Sequence, residues 1–205
     1  MKTKLSRKRA ISTVLTTVII LVSSVVLGSG VVLYGTSLFQ SGTQQEAITA
    51  SGIKIWVHTD ATEGLSWGAA KVRNTGDKVV SVDKIQIRGA DVPFSQWYPD
   101  TTVNSTTFQQ ALNFTGWSGT DGDLADSTGI CNGEDLQVRI FAEGDVCTNV
   151  ASGPVSLSPG QAGIIYFKLT NGTITSLDSG ASTSVNVYAG KAGAPQTVTV
   201  EGRTP

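Results

Sequence analysis

An uncharged run of 29 residues, Ile11 to Phe39, constrains this chain more than any other feature of its sequence. As an α-helix the run would be about 43 Å long at about 1.5 Å per residue, whereas the hydrocarbon core of a bilayer is about 30 Å thick. A secretory signal peptide has an apolar region of only about 7–15 residues, followed by a small-residue cleavage site. The run is too long for that class of signal and predicts a membrane-spanning helix.

The charges around this run predict its orientation. Five of the fifteen basic residues lie in the first nine positions, and no acidic residue precedes Glu46. By the positive-inside rule, the N-terminus lies in the cytoplasm and the residues after about 40 lie outside. Without its first ten residues the chain has ten basic and sixteen acidic residues, a net charge of −6. This acidic body argues against a nucleic-acid partner, which would require a basic surface.

Small residues are not scattered along the run but fall into two stripes when about 100° of rotation is assigned to each residue. The first stripe contains Thr13, Thr17, Ser24, Gly28 and Gly35, and the second contains Ser12, Thr16, Ser23, Gly30 and Ser37. Small residues let helix backbones approach closely inside a membrane. The stripes therefore favour a helix that packs against neighbours on two sides. The alternative is a single anchor that merely tolerates Gly, Ser and Thr.

The start of the run resembles the processing site of archaeal type IV pilins and archaellins, which carry a class III signal peptide. In the stretch "RKRAISTV", Arg9 is basic, Ala10 is small, Ile11 begins the apolar run and Ser12 follows. In this family a prepilin peptidase cuts on the cytoplasmic side, before the helix. The resemblance implies a basic leader of residues 1–10 that is removed between Ala10 and Ile11.

Two further features bear on this resemblance, which covers roughly residues 1–50. The stretch "YGTSLFQSGTQQEAI" is similar to the end of the family's helix and its exit into the head domain. Bacterial type IV pilins usually have Glu at the fifth mature position, whereas Leu15 stands there in this chain, as in archaellins and many archaeal pilins. The resemblance does not decide between an adhesive pilus and a motile archaellum.

The family also implies a set of partners. The resemblance implies a precursor with a single membrane span, which after cleavage polymerises with identical copies into an extracellular filament for adhesion or motility. It further implies a prepilin peptidase, an assembly ATPase and a membrane platform protein as partners. The competing hypothesis is a single-pass membrane protein that keeps its leader, does not polymerise, and binds a solute, metal or sugar through an outer β-sandwich.

The body of the chain predicts an all-β domain over residues 51–205, after a helix over 11–40 and a linker over 41–50. Ile53, Ile55 and Val57 alternate with polar residues, and the stretch Asn74–Asp77 has the composition of a turn. Short strands separated by Gly, Pro and Asn indicate an Ig-like β-sandwich. The predicted class of the whole chain is therefore α+β.

Residues 89–130 differ from the rest of the body in being rich in Ser, Thr, Asp and Gly. We interpret them as a loop-rich insertion, because connections of this length are uncommon. Its aromatic residues either fold the segment onto the sandwich, which we favour, or form a surface that contacts a ligand. These residues are Phe94, Trp97, Tyr98 and Trp117.

The two cysteines, Cys131 and Cys147, predict a disulfide if the body lies outside the cell. Closing so short a loop would contribute roughly 3 kcal/mol. The alternative is a pair of buried thiols. Asp121, Asp123 and Asp126 are weak candidates for calcium ligands, because Ala125 stands where an EF-hand loop requires its third ligand. A solvated acidic turn is favoured there.

Three Asn-X-Ser/Thr tripeptides, at Asn104, Asn113 and Asn171, are candidates for N-glycosylation. Archaeal pilins and archaellins are commonly glycosylated, so the resemblance implies that at least one is occupied.

The sequence shows no catalytic signature. It has no GxSxG, Walker, HExxH or CxxC motif, and His58 is its one imidazole. We therefore predict a structural protein with no cofactor, and not an enzyme.

Overall fold

The chain forms two compact units, Met1–Gln44 and Gln45–Pro205. The computed structural model describes residues 6–43, 46–59, 65–112, 114, 117–118, 123–124, 135–140 and 144–204. Within these ranges the side chains of 6–11, 39–43, 107, 117–118, 123–124, 135–140 and 144–147 lie outside the description.

The described residues of the first unit form a single helix, α1 (Ser6–Thr43), of 38 residues. It extends beyond both ends of the predicted range 11–40. The sequence of α1 is rich in β-branched residues, which are weak helix formers in water. The helix contains no proline, and in an apolar environment a helix satisfies every backbone group within its own segment. The first strand of the second unit begins at Ile48, inside the predicted linker over 41–50.

The second unit, the head, is built from strands with few short helices. Its strands are β1 (Ile48–His58), β2 (Ser66–Asn74), β3 (Val80–Ile87), β4 (Ala90–Asp91), β5 (Trp97–Asp100), β6 (Trp117–Ser118), β7 (Asp123–Leu124), β8 (Asp135–Ile140), β9 (Gly144–Asn149), β10 (Val155–Leu157), β11 (Ala162–Lys168), β12 (Ser182–Ala189) and β13 (Ala192–Arg203). Its helices are α2 (Ser105–Gln109) and the 3₁₀ turns Phe94–Gln96 and Ser176–Asp178. The structure confirms the prediction of a long helix followed by an all-β domain.

Nine strands form one curled sheet, a half-barrel, in the order β10-β3-β12-β13-β1-β2-β11-β5, with β4 beside β3. The strands β6–β7 and β8–β9 form two separate pairs. The curl is centred on β13. Its residues 192–199 pair antiparallel with β12, and its residues 200–203 pair parallel with β1. One long strand thus belongs to both arms of the sheet.

The main core lies between the two arms. Ile55 and Phe167 from one arm and Ile85 and Val187 from the other are fully buried in a single cluster. The arms therefore enclose apolar side chains as the two layers of a sandwich do. The alternation of buried and exposed residues along β12 is the pattern expected of such a half-buried strand.

A second cluster covers the outer face of the arm that contains β1, β2 and β11. Trp56, Trp67 and Tyr166 form its floor. Val103, Leu112 and Phe114, all from the segment 89–130, pack over this floor. The segment thus contributes to the packed interior of the head.

The aromatic residues of this segment pack, as we favoured, where their side chains are described. Trp97 is fully buried and donates from Nε1 to the carbonyl of Val92 at 3.0 Å. The Phe94 ring meets Trp97 edge-on at 4.8 Å, and Tyr98 lies 5.5 Å from Trp67. The side chain of Trp117 lies outside the described residues. Because β5 pairs with β11, the segment also supplies an edge strand to the main sheet.

Gly68, on β2, provides a test of how closely the main core is packed around Phe167. A Cβ at this position would lie 2.3 Å from Cε2 of Phe167, whose ring is fully buried in the main core. We expect Gly68→Ala to lower the free energy of unfolding by about 1–3 kcal/mol through overpacking. Denaturant unfolding of the full chain in detergent, followed by tryptophan fluorescence, measures the change. Gly153→Ala is the matched control, since nothing lies within 4 Å of its Cβ position. Equal effects of the two substitutions would contradict the packing described here.

Candidate membrane and assembly helix

The surface of α1 is apolar along most of its length. Its large apolar side chains between Val14 and Leu38 are exposed by 50–73%. The segment Ser12–Leu38, 27 residues long, is long and apolar enough to cross a membrane, and no part of it is buried. Water-soluble monomers rarely expose so large an apolar surface. The helix is therefore compatible with a membrane anchor or with a signal sequence.

Five of the described hydroxyl groups of α1 donate hydrogen bonds to carbonyls within the helix. Thr16 donates to the carbonyl of Ser12 at 2.9 Å, and Ser24 donates to that of Ile20 at 2.7 Å. Thr17, Ser29 and Thr36 donate in the same way to carbonyls three residues earlier. A buried hydroxyl without a partner costs free energy, but these have partners already. They can therefore face lipid or another helix without that penalty.

Three of the four glycines of the helix leave open space at its surface. A Cβ built on Gly28, Gly30 or Gly35 would meet no atom within 4 Å. Thr13, Thr17 and Ser24 extend the stripe of Gly28 and Gly35 towards the start of the helix. Such positions allow another backbone to approach closely. The packing of these residues against neighbouring copies stays a prediction.

The residues of the predicted cleavage site lie in the first turns of α1. The backbone of Arg9, Ala10 and Ile11 is helical, while their side chains lie outside the described residues. Ser12 is exposed. Cleavage between Ala10 and Ile11 stays a prediction.

Two of the three glycosylation candidates lie at the surface of the head. Asn104 is exposed directly before α2, and its carbonyl accepts a hydrogen bond from the backbone N–H of Phe108 at 3.0 Å. Asn171 is exposed in a turn in which Gly172 has a φ of 85°. Asn113 lies outside the described residues. Both described side chains are thus accessible to a modifying enzyme.

The predicted disulfide and the weak calcium candidate are not tested by the described residues. Cys131, Asp121 and Asp126 lie outside them, and Cys147 in β9 and Asp123 in β7 are described by backbone alone. Within the described ranges, no group of three or more His, Cys, Asp or Glu residues is arranged to hold a metal ion. His58 is half-buried at the end of β1.

Sequence reasoning missed three ion pairs of the head, two of which join residues far apart in the sequence. Arg88, which follows β3, donates from Nη2 to Oδ1 of Asp178 at 2.6 Å. This hydrogen bond and one from the backbone of Thr175 lower the pKa of Asp178 from 3.8 to about 2. Glu201 accepts from Lys54 and Arg203. Burial acts to raise the pKa of Glu201, but these two cations outweigh it and lower the pKa.

Lys71 fixes the segment 89–130 to the sheet. Its side chain, on β2, is buried and donates from Nζ to the carbonyl of Gln110. The same nitrogen lies 5.8 Å from the centre of the Phe108 ring, within the range of a cation–π contact. Burial lowers the pKa of Lys71. No local pattern in the sequence distinguishes this lysine from an exposed strand residue.

Comparisons with known proteins add no family to this description. No protein-family profile matches the chain, and no curated protein shows significant similarity to it.

The pair Arg88–Asp178 predicts a specific acid sensitivity. Because folding lowers the pKa of Asp178, the stabilisation is fully present above the unfolded value of 3.8 and is lost as the pH falls towards about 2. We therefore expect Asp178→Asn to lose less stability than the unsubstituted chain as the pH falls from 3.8 to about 2. Thermal unfolding of the full chain between pH 7 and pH 2 measures this difference. The effect should be below about 1 kcal/mol, because both partners are partly exposed. Asp91→Asn, which removes a carboxylate bonded to the neutral Gln86, is the control. An unchanged pH profile in Asp178→Asn would contradict the assignment.

Proposed function

We propose that this chain is a structural subunit of an archaeal type IV pilus-like surface filament. The observation that carries the proposal is the exposed apolar span Ser12–Leu38, which is joined to a separate β head and preceded by the leader-like sequence "RKRA". As a precursor the helix crosses the membrane once with its N-terminus in the cytoplasm. After cleavage before Ile11, the same surface packs against identical helices.

One apolar surface suits both states of α1. In the membrane its side chains contact acyl chains, which are as apolar as leucine, so the hydrophobic effect gives no preference for helix contacts there. In a filament the same side chains leave the lipid and contact other helices. The internally bonded hydroxyls require no new partner in either place. The glycines reduce the distance at which two backbones can pack.

The head forms the outer surface of the filament in this proposal. The proposal assigns N-glycans to the exposed Asn104 and Asn171, which lie on the head. Cleavage is assigned to a prepilin peptidase, and assembly to an ATPase and a membrane platform protein. The role of the filament is mechanical or adhesive, and the chain itself performs no catalysis.

N-terminal sequencing of protein sheared from native cells is the first test. We expect a start at Ile11 in material that sediments as filaments. Ala10→Trp should block processing, because a peptidase that recognises a small residue cannot accept the indole, whereas Ser6→Trp should be processed normally. An intact leader in a chain found only in the membrane fraction would overturn the proposal. That result would favour a membrane-anchored β-domain binding protein instead.

Mass spectra of peptides from the same material read out the modifications of the head. Peptides that contain Asn104 or Asn171 should carry added glycan mass, which the corresponding Asn→Gln substitution removes. The mass of the peptides that contain Cys131 and Cys147, before and after reduction, shows whether the predicted disulfide is formed. Unmodified asparagines in assembled filaments would contradict the glycan assignment but not the filament.

Gly28→Leu separates a packed helix from a lone anchor. The substitution keeps the segment apolar, so insertion into the membrane should be unchanged. Overpacking of the helix contact should cost about 1–3 kcal/mol, so the association constant should fall by about five- to 150-fold and the filament yield should fall with it. Val31→Leu, a change between two exposed apolar side chains, is the control. Quantities of sedimented filament and of membrane-inserted precursor are both measured. Normal filament yield from Gly28→Leu would exclude this residue from the helix contact.

A further inference from the structure

A short strap covers the outer face of the arm formed by β1, β2 and β11. We use the word strap for residues 101–112 together with Phe114, which follow β5 in the chain. Among its described side chains only that of Leu112 is buried, while Val103, Phe108 and Phe114 are half-buried and most of the others are exposed. So few buried apolar contacts are typical of a segment that opens at a low free energy.

The surface beneath the strap is aromatic. Trp56, Trp67 and Tyr166 are almost completely buried there. The Phe114 ring of the strap lies 5.9 Å from the ring of Trp56, and Tyr166 stacks on the other ring contact of Trp56 at 6.3 Å. Side chains of the strap complete this cluster, which is separate from the main core on the opposite face of the same strands.

Three polar groups are left with incomplete hydrogen bonding while the strap is closed. Lys71 is 6% exposed, and the carbonyl of Gln110 is the one described acceptor for its ammonium group, which carries three donor hydrogens. Asp100, directly before the strap, is 7% exposed. Its Oδ1 accepts from the backbone N–H and the hydroxyl of Thr102, whereas its Oδ2 is buried with no partner among the described residues. Oε1 of Gln110 is likewise buried without a described partner.

Closure of the strap therefore has opposing contributions to its free energy. The apolar contacts favour it, as do the hydrogen bonds from Lys71 to Gln110 and from Nε2 of Gln161 to the carbonyl of Thr101 at 3.1 Å. Against closure, a buried polar group without a hydrogen bond costs free energy, and a buried charge costs more. Opening gives water access to all three groups. Because Asp100 lies at one end of the strap and Gln110 near the other, hydration favours release at both ends.

We propose that the strap opens and recloses as one unit while the main core stays folded, and that its incompletely bonded polar groups set the open population. In the open state the head presents the rings of Trp56, Trp67 and Tyr166 at its surface, and in the closed state it hides them. The strap thus controls how much aromatic surface the head exposes. This device belongs to the head alone and does not depend on whether the chain polymerises.

Three tryptophans of the head supply the test, which uses the full chain in detergent. Trp56 and Trp67 lie beneath the strap and Trp97 lies in the main core, and each is at most 1% exposed. The closed state therefore protects all three indole rings equally from dilute N-bromosuccinimide, which oxidises them. We expect Trp56 and Trp67 to be oxidised at least about tenfold faster than Trp97, because only strap opening exposes them. Mass spectrometry of the separate tryptophan peptides measures each rate.

Two substitutions remove the unfavourable groups and should hold the strap closed. Gln110→Leu replaces the amide by an apolar side chain of similar size and keeps the backbone carbonyl to which Lys71 donates. Asp100→Asn removes the charge and keeps an oxygen that accepts from Thr102. Each should slow the oxidation of the two tryptophans beneath the strap by about five- to 150-fold and leave Trp97 unchanged. Gln109→Leu, at the exposed neighbouring position, is the matched control and should change none of the three rates.

Each outcome decides for or against the strap. Slower oxidation of Trp56 and Trp67 in either variant, with Trp97 unchanged, supports the proposal. Equal oxidation rates of all three tryptophans in the unsubstituted chain would mean that the strap opens only when the whole head unfolds, which overturns it. Faster oxidation of Trp56 and Trp67 that neither variant slows would also overturn it, because the polar groups would then have no part in opening.

Discussion

The apolar surface of α1 has to be removed from water, and this requirement governs how the rest of the chain is used. The span Ser12–Leu38 is not buried by any described part of the chain. Burial contributes about 25 cal/mol for each Å² of apolar surface, so the free energy that favours lipid or helix contacts grows with the whole length of the span. The head, by contrast, has its own core between the two arms of the curled sheet. The chain thus consists of two units: the helix, which needs a surrounding apolar phase, and the head, which does not.

Local patterns in the sequence predicted where strands form in the head better than they predicted which strands pair with one another. The alternation of Ile53, Ile55 and Val57 indicated a half-buried strand, and β1 forms there. The parallel pairing of β1 with β13 joins residues more than 140 positions apart, and a period of two gives no information on which strand lies beside which. The curl of the sheet follows from β13 belonging to both arms, a property of pairing and not of local composition. The same reasoning explains why β5, in a segment of loop-like composition, was not foreseen as a strand of the main sheet.

The functional features differ in the same way: some belong to one continuous segment, and others depend on residues far apart in the sequence. The apolar span and its stripes are properties of one continuous segment, so the sequence alone identifies them. The buried Lys71 and the pair Arg88–Asp178 depend on residues 39 and 90 positions away, and each looks like an ordinary surface charge in sequence. Burial of Lys71 needs Phe108 and Gln110 above it, which come from the segment predicted to be an insertion. Long-range contacts of this kind become visible only when the topology is known.

The two units also differ in how much specificity they can supply to an assembly. Along α1 the exposed side chains are mostly Val, Leu and Ile, so a shift of one turn exchanges one apolar contact for a similar one. Shape at the glycines restricts the register of packed helices, but dispersion contacts between similar aliphatic groups differ little in energy. The surface of the folded head is defined in shape by its own core and in polarity by ion pairs such as Arg88 with Asp178. In an assembly of the kind proposed, helix packing alone would leave several registers similar in energy, and contacts between heads would determine which of them is populated.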